Sequence, residues 1–488
     1  MSQNAKQGVS LKMNMIMSVI LTISSMLFPL ITFPYISRVV GAEGIGKVTF
    51  ATSVVTYFSM FAQLGIPTYG ICACAKVRDN KQELSRVVHE ILIINVITCI
   101  ISYVALGISL CVIPRFLEEK LLFLVIGSTI LLNTLGVEWL YKALEQYSYI
   151  TIRSLIFKVI ALVGLFCLVH SEQDYVIYGG ISVFAIAASN VMNFINLRKY
   201  ISISPIGNYH IKPHLKMVFI FFAMSIATTI YTNLDNVMLG FMKDDIEVGY
   251  YTVAVKMKLV LVGVVNSVST VLLPRASYYV DKGFFEEFYN VTKRAMNFVI
   301  IIAVPSVLYF IVFAKESIFL LSGEGFGGAI LSMQIIMPTL LFIAITNILG
   351  IQMMIPLGKE KIVLYSTIWG AIVDLIVNII MIPRFGAAGA SIGTVVAEFV
   401  VLMYQILATR DMSKKVLSNV RVPLLILANA LAIASCIWVK QMPLNAFFTL
   451  AVSAICFFSV YLFILIVAKE RVVLDVLDMI LGKFKKNN

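Results

Sequence analysis

The chain has 488 residues, 60% of them hydrophobic and 13% charged, with a mean hydropathy of +0.94 and a formal net charge of +12. A soluble chain carries about 25% charged residues, so a water-soluble fold is excluded, and the basic balance needs a reading other than a nucleic-acid footprint. Apolar stretches of about 20 residues recur from end to end, each able to cross a hydrocarbon layer of about 30 Å, while the alternation of barrel strands is absent.

The sequence therefore predicts an all-α polytopic membrane protein with about fourteen transmembrane helices. They are placed near 12–39, 47–74, 88–110, 120–141, 148–169, 174–197, 215–241, 249–273, 292–313, 328–355, 361–382, 387–408, 421–439 and 444–467.

The polar opening "MSQNAKQGVS" precedes an apolar run too long for a signal-peptide core, so the first span is read as retained. It contains Pro29 and Pro34 and closes on Arg38, just before the turn "GAEGIG". Pro67 should kink the second span, as Pro305 and Pro338 should the ninth and tenth. Cys72 and Cys74 form C-x-C without a histidine cluster; with Cys99, Cys111, Cys167, Cys436 and Cys456 they read as small core residues.

Glu138, ending the fourth span, and Arg153, opening the fifth, lie at similar depth and are candidates for a structural pair. Lys158, about ten residues into the fifth, is hard to satisfy unless it faces a cavity. Asn190, Asn193 and Asn196 recur every three residues on the sixth span, as glue between helices or as sugar contacts.

A charge at the midplane costs about 2.5–3.5 kcal/mol on insertion scales. Asp235 lies about 9 Å from the end of the seventh span, nearly level with Lys256 on the eighth. The two are either a clamp between neighbours or part of a hydrated cavity wall. Lys258 points about 200° away from Lys256 and could snorkel. Asp374 and Glu398 sit near the middle of the eleventh and twelfth spans, with Asn378 one turn beyond Asp374. Such acids are protonated, paired or wet, and serve either proton or sodium coupling or helix packing. "GAAGASIG" (386–393) presents small residues for close helix contact. The tail "AKERVVLDVLDMILGKFKKNN" is amphipathic and basic, suited to the inner leaflet.

Lys76, Arg78, Lys81 and Arg86, then Arg198, Lys199, Lys212 and Lys216, fall on the side shared by the termini. Further basic loops follow on that side, against Lys47, Arg115, Lys120, Lys243, Lys315, Arg384 and Lys440 opposite. An excess of roughly threefold predicts cytoplasmic termini. The longest connections, near 198–214 and 274–291, are short basic hinges, leaving no room for a soluble catalytic domain. No nucleotide-binding, metalloprotease or nucleophile-elbow motif occurs in a usable context.

The chain also repeats itself. "GIGKVTFATSV" (44–54) answers "EVGYYTVAVKM" (247–257), "WLYKALEQYSYITIRSLIFKVIALVGL" (139–165) answers "MMIPLGKEKIVLYSTIWGAIVDLIVNI" (353–379), and "DYVIYGGISVFAIAASN" (174–190) answers "RFGAAGASIGTVVAEFV" (384–400). Six spans per copy give both copies one orientation, a parallel repeat. The expected division is an N-lobe at 1–200, a C-lobe at 201–411, and two added helices with a tail at 412–488.

The pieces "FPLITFPYISRVVGAEGIGKVTFATS", "NLDNVMLGFMKDDIEVGYYTVAVK" and "IPRFGAAGASIGTVVAE" resemble the multidrug/oligosaccharidyl-lipid/polysaccharide exporter superfamily, and most closely its polysaccharide flippases of the Wzx type. The resemblance covers essentially the whole chain. It implies two six-helix lobes and transfer of undecaprenyl-pyrophosphate-linked oligosaccharide across the bacterial cytoplasmic membrane by alternating access. It places Arg38 where the family carries cavity-facing basic residues. Arg153, Lys158 and Lys256 become candidates for the pyrophosphate, with Asp235 beside them. No enzyme activity, cofactor, metal or nucleic acid is expected. Expected partners are membrane lipid, H+ or Na+, and the polymerase and glycosyltransferases of surface-polysaccharide synthesis. A lipid II flippase and a cation-coupled drug antiporter of the same superfamily are the alternatives; a membrane polymerase is disfavoured by its missing loop.

Overall fold

The computed structural model describes residues 11–417 and 420–474, and every regular element among them is helical. Contacts divide the chain into two compact units, Met1–Gly249 and Tyr250–Asn488. Among the described residues, twelve segments are long and apolar enough to cross a membrane. One of them, Met13–Lys76, has 64 residues, about 96 Å of helix, far beyond the thickness of a bilayer.

The first unit contains α1 (Leu11–Gln63), α2 (Ile66–Lys76), α3 (Lys81–Val112), α4 (Pro114–Glu118), α5 (Lys120–Gly136), α6 (Glu138–Ala143), α7 (Tyr147–Leu168), α8 (Tyr175–Val183), α9 (Asn190–Asn196) and α10 (Lys212–Met242). Within α1, Gly41 has φ 72° and ψ −178°, a region open essentially to glycine. The break falls in the predicted "GAEGIG" turn. Much of α1 after it is buried, and α3, α5, α7, α8 and α10 are among the neighbours of α1.

Two further breaks depart from the predicted spans. The second span is interrupted at Leu64 and Gly65, both left-handed, and Pro67 opens α2 instead of kinking a continuous helix. A side chain at Gly65 would lie 2.5 Å from the backbone nitrogen of Phe222, so the approach of α10 requires glycine there. The fourth span breaks at Val137 (φ 35°), between α5 and α6. The sixth carries a π turn, Phe184–Ala188, between α8 and α9.

Beside these breaks lies a core cluster that includes Ile66, Leu84, Ile91, Trp139, Tyr141 and Phe222. A buried polar chain adjoins it. Glu90 accepts from the His210 backbone N–H at 2.6 Å and sits 2.7 Å from His214 Nε2, whose Nδ1 is 2.6 Å from the Tyr69 hydroxyl. At the other end of the unit, Arg115 pairs with Asp245 at 2.6 Å, and Lys47 with Glu119 at 3.0 Å.

The second unit begins within α11 (Asp245–Asp281). This helix runs well past the predicted end of the eighth span, so the expected 274–291 hinge shrinks to a turn at Gly283 before α12 (Phe285–Val312). Polar residues at a membrane surface extend a helix as readily as they form a loop, and hydropathy does not separate the two. Then follow α13 (Ala314–Ser322), α14 (Ala329–Ile336), α15 (Thr339–Thr346), a π segment at Asn347–Met354, α16 (Glu360–Phe385), α17 (Ala387–Ala408), α18 (Arg410–Leu417), α19 (Val422–Cys436) and α20 (Ala446–Val467).

α16 packs extensively against α17. A Cβ at Gly389 would lie 2.4 Å from the Met381 carbonyl oxygen, the tight contact that "GAAGASIG" predicts. Tyr309 donates to the Leu450 carbonyl at 2.9 Å and Tyr461 to that of Ile301 at 2.8 Å, tying α12 to α20. The seven cysteines are free; Cys74, Cys99 and Cys436 are buried, whereas Cys72, Cys111 and Cys167 lie at the surface rather than in the core. Of the amphipathic tail, residues 475–488 lie outside the described residues.

Candidate functional site

The second half of α1 carries Thr52, Thr56, Ser59 and Gln63, at spacings of four, three and four, one stripe of a helix about 16 Å long. In the first unit this stripe faces Thr129 and Asn133 of α5, Ser182 of α8, and Ser225 and Thr229 of α10 around a cavity of about 390 Å³. A second cavity of about 230 Å³ shares Gln63, Pro67 and Asn133 with the first, and is lined further by Asn95, Glu138, Trp139, Lys142 and Asn190. Apolar side chains such as Val55, Met60 and Ile126 complete the walls.

The helix breaks cluster around these cavities for a physical reason. Non-helical backbone at membrane depth survives only where protein or water satisfies it. The break at Gly65 frees the carbonyl of Ala62, which accepts from Asn95 Nδ2 at 2.8 Å and Thr98 Oγ1 at 2.5 Å. The break at Val137 frees that of Gly136, which accepts from Asn193 Nδ2 at 2.6 Å. Beyond the π turn, Ser189 offers its carbonyl to Arg153 Nη1 at 2.8 Å. Each break thus acquires a polar side chain from a neighbouring helix, and polar groups gather where the helices part.

Asn193 therefore acts as glue. Asn190 both lines the second cavity and donates to Asn133 Oδ1 at 3.2 Å. Val137 is buried and left-handed, a strained state for a β-branched residue. It opens α6 so that Glu138 and Trp139 reach the second cavity.

The charged candidates are distributed differently from the sequence reading. Glu138 and Arg153 do not form the expected pair: Glu138 binds Lys142 one turn on at 2.8 Å, because the restart at Val137 puts both on the short α6. Arg153, 5% exposed, instead donates to Ser189 and stacks near the Tyr149 ring. Lys158, 9% exposed, donates to the hydroxyls of Ser24 at 3.0 Å and Ser25 at 2.8 Å on α1. The two cations thus turn to different neighbours. Neither forms an ion pair among the described residues, although the field of Glu138 reaches both.

Arg38 is exposed and donates back to the Pro34 carbonyl at 2.5 Å. Asp235 is buried on α10; Lys256 is half-buried and Lys258 buried on α11. Asp374 and Asn378 are buried on α16 against α17, where a Cβ at Gly393 would lie 2.1 Å from Asn378 Oδ1 and 3.0 Å from Asp374 Oδ1. Glu398 is buried on α17.

Sequence reasoning singled out charges and missed the hydroxyl stripe. The 4-3-4 spacing of Thr52, Thr56, Ser59 and Gln63 was a signal available for it.

Residues 11–280 match the family described as polysaccharide biosynthesis protein. Two curated relatives named "Putative O-antigen transporter" align over most of the chain. The one from Escherichia coli (strain K12) is 22% identical, covering 83% of this chain and 97% of its own. The one from Shigella dysenteriae is 25% identical, covering 82% and 100%. Among solved structures, the lipid II flippase MurJ in an inward closed conformation superposes with a TM-score of 0.71 at 16% identity, covering 92% of this chain and 98% of that one. An inward-facing multidrug resistance MATE family transporter superposes at 0.62 and 13% identity, covering 83% and 99%. These two likenesses establish the fold alone, an all-helical architecture shared with those chains.

Proposed function

Because the chain belongs to the polysaccharide biosynthesis protein family, we propose that it is a flippase for undecaprenyl-pyrophosphate-linked oligosaccharide repeat units, working by alternating access across the bacterial cytoplasmic membrane for surface-polysaccharide synthesis. The observation that carries this reading is the pair of buried cations on α7. Among the described residues, Arg153 and Lys158 donate to neutral oxygens and form no ion pair, and Arg153 lies over the Tyr149 ring. A buried cation without a carboxylate is costly, and an anionic ligand repays it. Cationic drugs would meet the wrong sign of charge here.

In this reading Lys158 leaves its two serines to meet the pyrophosphate as a point charge, and Arg153 offers a forked donor. Arg38, Lys256 and Asp235 are further candidates along the path. Asp374 and Glu398 are candidates for proton or sodium coupling. The polyprenyl tail stays in lipid, and glycosyltransferases and a polymerase supply and consume the substrate.

The test is leaflet exchange in liposomes of a synthetic undecaprenyl-pyrophosphate disaccharide. Lys158→Met should keep the fold, since replacing a buried charge by an apolar side chain is often neutral, yet slow exchange by about tenfold or more, the equivalent of one charge-assisted hydrogen bond. Unchanged exchange in a folded Lys158→Met protein would sink the assignment. A lipid II flippase shares the pyrophosphate chemistry, so lipid II serves as the second substrate in the same assay.

A further inference from the structure

The first of these two cavities sets hydroxyl and amide side chains into a mainly apolar wall, the second is more polar, and neither offers a free charge among the described residues. Their charged wall residues, Glu138 and Lys142, neutralise each other at 2.8 Å. The rest of the polar lining is hydroxyl and amide. Thr56 and Ser225 donate to backbone carbonyls one turn back and so keep their acceptor lone pairs toward the cavity. Thr129 and Thr229 make no side-chain hydrogen bond among the described residues. Polar groups are costly to keep at membrane depth without partners, so a tract of them with spare capacity points to a ligand that supplies the partners.

We infer that this tract is a glycan-binding groove selective for uncharged sugars, with the Asn133–Gln63 junction at its centre and Trp139 at one end. The inference rests on the flippase reading and adds the recognition chemistry of the head group. A sugar ring presents a hydroxyl rim and apolar C–H faces, and the groove alternates hydroxyls and amides with Val55, Met60 and Ile126 in the same way. Trp139 adds an aromatic surface, and its indole N–H makes no hydrogen bond among the described residues. The first cavity alone lies within the roughly 300–1,000 Å³ range of small-molecule sites.

Selectivity follows from the same lining. A carboxylated sugar would lose its water and find no free cation, since Lys142 is already paired. A desolvated carboxylate without a partner is strongly disfavoured. Neutral sugars are thus admitted and uronic acids rejected.

The test uses the full chain in detergent and follows Trp139 emission, with Trp139→Phe as the blank for the other two tryptophans. Cellobiose should shift the emission saturably, and cellobiouronic acid should bind about tenfold or more weaker. Thr129→Val with Thr229→Val should weaken cellobiose binding, and Asn133→Lys should reverse the preference. Equal binding of the two disaccharides by the unmodified chain, or binding of neither, overturns the inference. If leaflet exchange persists in that case, the flippase reading stands and only the groove assignment falls.

Discussion

Glu90 shows how much one buried side chain can hold. Its carboxylate accepts from the His210 backbone and faces His214, which in turn meets Tyr69. Removing it would leave His214 Nε2 and the His210 backbone N–H without this partner, each worth about 1–3 kcal/mol. Glu90→Ala should lower the thermal unfolding temperature in detergent by several degrees, and Glu90→Gln by less, because the amide oxygen still accepts. Equal stability of Glu90→Ala and the parent chain would show the chain of contacts to be incidental. None of this was legible in the sequence, where Glu90 and His214 stand 124 positions apart. The charges on α7 were legible as anomalies, but not their partners. Arg153 found Ser189 instead of Glu138 because a π turn presents that carbonyl.

At the scale of elements, hydropathy located the apolar segments and the turn at Gly41. It missed the breaks at Leu64–Gly65 and Val137, since a left-handed residue inside an apolar run leaves the average unchanged. A contact at the repeat's own glycines is more readable. A Cβ at Gly46 would sit 1.7 Å from the Asp245 carbonyl oxygen, and one at Gly249 would sit 2.1 Å from that of Ala42. Gly46→Ala should therefore force the start of α11 away and cost about 1–3 kcal/mol, typical of overpacking. Thermal unfolding of the variant checks it; an unaltered midpoint would mean the backbone yields freely there.

For the whole molecule, the excess of Lys and Arg in alternate connections predicts orientation. In a cysteine-free background, a cysteine at Asn80 should be labelled only from the cytoplasm and one at Ser171 only from outside. The opposite pattern would invert the proposed direction of entry.

Composition and periodicity alone determined that this chain is a helical membrane protein, because burial of apolar length in lipid is a local, additive property of sequence. Its sign bias across connections set the expected sidedness in the same additive way. The tertiary structure decided where the helices break, which hydroxyls face a common space, and which partners the buried charges take. Those outcomes depend on orphaned carbonyls meeting side chains from helices distant in sequence, a relation that no single stretch of residues contains.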